Sequence, residues 1–187
     1  MSRINVGDCI SELNLPAIDG RLFSIEQVAG RRYLLSFFRF AGCPFCNMRV
    51  HELVKHYADF GPNFTVVGIF DSSLENLQRH AEDHHAPFAL LADADNVYYR
   101  RFGVERSVWG VIKGLVLRLP RILHAVFIKG FIPRTIQGNI TTMPLNILVD
   151  ENGRVQYAHY GRDEGDHIPL MAVREFALSG KVPPNTI

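Results

Sequence analysis

Tyr33-Leu34-Leu35-Ser36-Phe37-Phe38-Arg39-Phe40-Ala41-Gly42-Cys43-Pro44-Phe45-Cys46 is the stretch on which the reading of this 187-residue chain turns. Its first six residues form a compact, aromatic-rich apolar run, the pattern of a central strand buried on both faces. Beyond Cys46, the residues Val50, Leu53, Val54, Tyr57 and Phe60 recur at three- and four-residue spacing. Arg49, Glu52, Lys55 and Asp59 fill the other face, which predicts an amphipathic helix, stopped by Gly61-Pro62. A Cys-x-x-Cys therefore falls at a strand-to-helix junction. There Cys43 meets unpaired backbone N–H groups and the positive end of the helix dipole. These lower a thiol pKa from about 8.5 toward neutrality or below. Cys43 is the expected nucleophile toward a disulfide or a peroxide, and Cys46, one turn inward, the expected resolving thiol. Pro44 suits the first helical turn, where no N–H is missed. Arg39 either adds positive charge beside the thiolate or forms a surface ion pair.

Working outward, Thr65–Phe70 reads as the next buried strand and Ser72-Ser73-Leu74-Glu75 as a capping box for a helix to about Asp83. Phe88–Ala92 is a third strand and Asp95–Phe102 a short helix. Asn146–Asp150 and Val155–Tyr160 flank Glu151-Asn152-Gly153 as a hairpin. Leu170–Ser179 closes the chain as a helix ended by Gly180. Toward the N-terminus, Asp19-Gly20 separates two short extended pieces, and Ser24 caps a helical turn to Val28. Strand–helix alternation followed by a hairpin predicts one α/β domain over 1–187, with a mixed central sheet and helices on both faces. That is the order of a thioredoxin-like fold.

The segment 104–142 stands apart. From Arg106 to Val149 there is no Asp or Glu, while Arg106, Lys113, Arg118, Arg121, Lys129 and Arg134 alternate with aliphatic residues. It reads as an inserted pair of cationic amphipathic helices broken near Pro120 and Pro133. Its uses range from an ordinary packed insertion, through a homodimer interface or an apolar wall over the dithiol, to contact with an anionic membrane surface. The last makes a membrane-surface or protein-binding module the alternative to an enzyme.

Composition bounds the rest. A net charge of +1 gives no bias toward nucleic acid, and the basic residues do not interleave with stacking aromatics. Three cysteines do not make a disulfide scaffold. The first eight residues carry no apolar run, and no stretch reaches the roughly 18 apolar residues of a membrane span; the expected setting is reducing and cytoplasmic. A lone Cys-x-x-Cys is also half a zinc site. No second cysteine pair completes it, and His51, His80, His84 and His85 would have to converge. No metal and no cofactor is expected.

Val6-Gly7-Asp8, Leu15-Pro16, Asp19-Gly20, Phe37–Cys46, Val67-Gly68-Ile69, Asp93-Ala94-Asp95, Phe102-Gly103-Val104 and Leu148–Gly153 together resemble the alkyl hydroperoxide reductase/thiol-specific antioxidant superfamily, closest to its Cys-x-x-Cys peroxiredoxin-like branch. The resemblance spans nearly all of the chain outside the insertion and the last few residues. It implies a thioredoxin-like fold, with Cys43 as the peroxidatic or attacking thiol and Cys46 as its local resolving partner. It also implies an electron donor of thioredoxin or glutathione type. Met143-Pro144 matches the position of the superfamily's cis-proline beside the substrate groove. Arg39, Phe40, Pro44, Phe45, Met143 and Pro144 are thus the expected substrate-contacting residues. The chain also departs from the pattern. Phe40 stands where peroxiredoxins carry a Thr or Ser, Ser36 replaces a proline, and Leu145-Asn146 stand near the place of a later arginine. Gly42 replaces thioredoxin's tryptophan. Cys9, where a proline is common, reads as a small, partly buried residue rather than a third redox thiol.

Overall fold

A computed structural model describes residues 3–81, 84–109 and 138–183. The apolar run becomes strand β3 (Arg32–Phe37), and every residue from Tyr33 to Phe37 is buried. It lies at the centre of a five-stranded sheet. On one side it pairs in parallel with β4 (Phe64–Phe70), which pairs in parallel with β5 (Ala89–Ala92). On the other it pairs antiparallel with β6 (Leu145–Val149), which forms the hairpin with β7 (Val155–Tyr160). The order is β5-β4-β3-β6-β7. A separate antiparallel pair, β1 (Asn14–Pro16) and β2 (Leu22–Ser24), brackets Asp19-Gly20.

Side chains alternate along β3, so each face gathers its own core. Leu34 and Phe38 point to the face covered by α1 (Pro44–Lys55), α2 (Leu74–Ala81) and α4 (Leu170–Ser179), where Val50, Leu53, Leu77, Val173 and Phe176 pack. Tyr33, Leu35 and Phe37 point to the face covered by the N-terminal pair and α3 (Val97–Arg101). This is the mixed sheet with helices on both faces that the element order predicts. Phenylalanine carries much of the core, with Phe37, Phe38, Phe60, Phe64, Phe70 and Phe176 fully buried.

Two short elements owe their place to side-chain caps. Five-residue α3 is anchored by Asp93, whose carboxylate accepts the N–H groups of Val97, Tyr98 and Tyr99 at 2.9, 2.8 and 3.2 Å. That satisfies donors no helix of this length satisfies internally. At α2 the cap is Ser73, not Ser72. The Ser73 hydroxyl accepts the Asn76 N–H at 3.3 Å, and the Ser72 hydroxyl takes the Asn76 side chain at 2.8 Å. The expected capping box is one residue out of register because Glu75 instead pairs with Arg79.

Two other expectations change. Arg49, read as part of the exposed face of α1, is buried. Its guanidinium donates to the Ile168 carbonyl at 2.7 Å, so the segment leading into α4 covers the side chain. Its burial lowers its pKa, opposed by the neighbouring Glu52. Cys9 is exposed rather than partly buried, because it lies on an isolated bridge to Arg154 at the sheet's rim.

Most of the cationic insertion expected at 104–142, residues 110–137, lies outside the described residues, as does the membrane-surface reading built on it. Its two described ends come together: Arg106 bridges Thr142, the Ser107 N–H donates to the Thr141 carbonyl, and the Met143 N–H to the Glu105 carbonyl. Among the described residues no helix is long and apolar enough to cross a membrane.

Close packing against Gly68 in β4 gives a stability test. A Cβ built on Gly68 in β4 meets Leu90 Cδ2 at 2.9 Å and Phe38 Cε2 at 3.0 Å. Leu90 is fully buried and Phe38 is stacked on Phe70 with ring centroids 4.8 Å apart, so neither has room to retreat. Gly68→Ala is expected to cost about 1–3 kcal/mol by overpacking, read as a lowered urea midpoint at an unchanged m-value.

Candidate active site

The end of β3 and the start of α1 place the two cysteines. After Phe37 the chain turns through Phe40, whose carbonyl accepts the Cys43 N–H at 3.0 Å. Cys43 takes an extended conformation (φ −69°, ψ 119°) as the residue before α1, with Pro44 opening the helix. Asn47 then locks the turn. Its side-chain amide donates to the carbonyls of Ala41 at 2.8 Å and Cys43 at 2.9 Å, and its oxygen takes the Nε2–H of His84 at 2.7 Å. Both donors of the amide are spent on carbonyls, so its oxygen faces the imidazole and that nitrogen carries the proton.

Cys43 and Cys46 are both wholly buried and both free thiols. Arg39, also buried, spans the pair. Its backbone N–H donates to Cys46 Sγ at 3.3 Å, and its Nη1 lies 3.7 Å from Cys43 Sγ. Its Nη2 donates to the carbonyl of Ile140, and its Nε is buried with no hydrogen-bond partner among the described residues. Of the two uses open to Arg39 in the sequence, the structure assigns the one beside the thiolate.

Four influences set the Cys43 thiol. Burial is the largest and raises its pKa. Against it act the hydrogen bond from the Cys46 thiol, the charge of Arg39, and the Cys46 and Phe45 amides of the first helical turn. The opposing effects prevail and bring Cys43 down to about 7. Cys46 is pushed well up, first by burial, then by its hydrogen bond to Cys43 and repulsion from it, with Arg39 pulling the other way. The two thiols are thus biased in opposite directions.

The other expected contact residues divide into two groups. Phe40 lies under the Arg39 guanidinium, 5.5 Å from its ring centroid, and Pro44 and Phe45 form the first turn of α1. Met143 and Pro144 are buried at the mouth of β6, whose register sets Leu145 against Phe37. Ile140, three residues before Met143, accepts from the Arg39 guanidinium. The Met143–Pro144 peptide is trans, not the cis bond the resemblance implies. The Met143 N–H is held by Glu105 and the Pro144 carbonyl by the Gly161 N–H at 2.8 Å. The extended chain thus runs straight into β6, with nothing to offset the cost of a cis bond.

The histidines do not converge. His51 and His85 are exposed and His84 is committed to Asn47. Among the described residues no group of three or more His, Cys, Asp or Glu is placed to hold a metal ion. Sequence reasoning missed Asn47 and Asp71. Asn47 had a signal: it stands four residues after Cys43 and three before Val50, a polar residue on the apolar stripe of α1.

A family model described as the AhpC/TSA family matches residues 6–158. A Mycobacterium tuberculosis protein assigned as a peroxiredoxin is 25% identical over 173 residues, covering 91% of this chain and 94% of the relative. Chloroplastic peroxiredoxin Q of Populus jackii is 24% identical over 136 residues, 71% of this chain and 64% of its own. Among solved structures, peroxidoxin BcpB from Mycobacterium tuberculosis superposes with a TM-score of 0.63 at 18% identity, covering 95% and 96% of the two chains. A thiol peroxidase from Chromobacterium violaceum gives 0.65 at 16% identity over 96% and 89%. At these identities the structural likeness is one of fold.

The electrostatics give a direct test. The ultraviolet absorbance of the thiolate in the reduced protein is expected to rise with a midpoint near pH 7. In Arg39→Met that midpoint should move up, toward the roughly 8.5 of an ordinary thiol. An unshifted midpoint would remove Arg39 as the source of the thiolate's stability.

Proposed function

This chain belongs to the AhpC/TSA family and is a thiol-dependent redox enzyme, and on that premise we propose that Cys43 and Cys46 carry out one peroxide-reducing dithiol cycle. The observation that supports the cycle is the opposite bias of two sulfurs held by a single arginine. With a pKa of about 7, Cys43 is about half thiolate at neutral pH, against a few per cent for an ordinary thiol.

The Cys43 thiolate attacks one peroxide oxygen. The S–O bond forms as the O–O bond breaks, Cys43 is oxidised to the sulfenic acid, and the departing alkoxide or hydroxide takes up a proton. The Arg39 guanidinium, whose Nη1 lies 3.7 Å from this sulfur and whose Nε–H has no acceptor among the described residues, supplies the donors for an oxygen arriving there. Cys46 keeps its proton while Cys43 is an anion. Once that charge is consumed the repulsion disappears, and Cys46 attacks the oxidised sulfur. The S–S bond forms, the S–O bond breaks and water leaves. An external dithiol of thioredoxin or glutathione type restores the pair by exchange and is itself oxidised. Phe40, Met143 and Pro144 are the apolar neighbours of the incoming peroxide.

Reduction of disulfides by the same pair is the second reading. It is favoured by Phe40, which supplies no hydroxyl where peroxiredoxins have one to polarise a peroxide. The two are separated by the rate of the reduced protein toward hydrogen peroxide against its rate toward a small disulfide.

The variants are expected to behave unequally. Cys43→Ser should lose all peroxide consumption. Cys46→Ser should complete one turnover and stop, with one oxygen added to Cys43 by mass spectrometry. Full turnover in Cys43→Ser would make another group the nucleophile, and sustained turnover in Cys46→Ser would remove it as the resolving thiol.

A further inference from the structure

Arg39 depends on a hydrogen bond to a backbone carbonyl, and that carbonyl belongs to a segment anchored elsewhere. Ile140 lies between Asn139 and Thr142, both of which are tied to Asp71 beyond the end of β4. One Asp71 carboxylate oxygen accepts the Asn139 N–H at 3.0 Å and the Thr142 hydroxyl at 3.2 Å. The other accepts the Asn96 side chain at 2.8 Å. The Asp71 N–H donates in turn to the Arg39 carbonyl at 3.2 Å, so one residue grips both parties to the Arg39–Ile140 contact. Asp71 and Thr142 are buried. The approach is also close: a Cβ on Gly138 would lie 2.1 Å from the Asp71 carbonyl oxygen and 3.0 Å from Phe40 Cβ, at a backbone φ of +109° that favours glycine.

We propose that Asp71 is a positioning residue for the reaction: its carboxylate fixes the 139–142 segment so that the Ile140 carbonyl holds the Arg39 guanidinium over Cys43. The inference rests on the reading of Cys43 as the attacking thiol. It assigns to Asp71 an effect that its charge alone does not have. A buried carboxylate near the site opposes a thiolate. Removing its charge should therefore ease ionisation of Cys43, whereas releasing Arg39 should hinder it. Among the described residues, the other charged and titratable groups that act on Cys43 and Asp71 include Arg39 and Cys46 and, on the α3 side, Tyr99 and Asp93. His84 stands behind Asn47. None of these is altered by the variants below.

Asp71→Ala removes both charge and anchor. Asp71→Asn removes charge but keeps an oxygen for Asn139 and Thr142; its new N–H₂ replaces the oxygen to which Asn96 Nδ2 donates, so the Asn96 amide must turn over to present Oδ1, which has no hydrogen-bond partner among the described residues. Thr142→Val removes one strand of the anchor. Thiolate absorbance is titrated in each reduced protein alongside the pH profile of its reaction with hydrogen peroxide. In Asp71→Ala the midpoint should rise by about one unit, with peroxide reaction about tenfold slower near pH 6 and restored near pH 9. Thr142→Val should shift in the same direction by less, and Asp71→Asn should stay at or below the wild-type midpoint. A wild-type or lower midpoint in Asp71→Ala overturns the proposal, as does an Asp71→Asn midpoint as high as that of Asp71→Ala. If Asp71→Ala does not fold, Thr142→Val decides, an unshifted midpoint overturning the proposal. The titration reads the thiolate without turnover, so its failure is distinct from peroxide turnover persisting in Cys43→Ser.

Discussion

A buried anion is tolerable only beside a buried cation or a set of aligned donors, because its lost hydration must be replaced. In this protein the arrangement is Arg39 against Cys43, with both groups shut away from water. Much of the architecture around the site follows from that pairing. The arginine needs a rigid base, which the end of the central strand supplies. The sulfur needs a fixed approach, which the first turn of α1 and the Asn47 clamp supply. The guanidinium has more donors than one sulfur can use, so a backbone carbonyl from a distant part of the chain is brought in to take another.

The framework was legible because it rests on periodicity and punctuation. The Tyr33–Phe38 run, the Val50–Val54 part of the apolar stripe on α1, the 146–160 hairpin and Gly180 after the last helix each reflect a local physical preference, and each is present in the fold; the stripe's Tyr57 and Phe60 fall instead on a separate 3-10 turn, because α1 ends at Lys55. The placement of the two cysteines at a strand-to-helix junction was legible for the same reason. What was not legible depended on the partner a side chain meets far along the chain. Arg49 was assigned to solvent because its charge outweighs its position in any sequence pattern, yet the Ile168 carbonyl receives it. Asp71 carried no motif, and its importance appears only when residues 139–142 are placed against it. Pro144 was assigned by analogy to a conformation that its neighbours do not require.

The departures from the peroxiredoxin pattern become coherent at the level of charge. Peroxiredoxins use a hydroxyl three residues before the attacking cysteine and an arginine from a later strand. Here the first place holds Phe40 and the second region Leu145 and Asn146, all apolar or neutral. A positive charge is still present, delivered from four residues before Cys43 and stacked on the very aromatic ring that stands where the hydroxyl is absent.

Neither sulfur reaches the surface, and this separates the two halves of the proposed cycle by size. A peroxide is small enough to pass through side-chain fluctuations, but the thiol of a protein donor sits on a surface that cannot enter. In the proposed cycle, rereduction by such a donor would wait on an opening of the first turn of α1, an event that belongs to this chain and not to the encounter. On this view the rate at saturating donor is a property of local unfolding. The same packing that sharpens Cys43 toward its oxidant would then act as a timer on its recovery, lengthening the oxidised interval in proportion to how well the closed state is built.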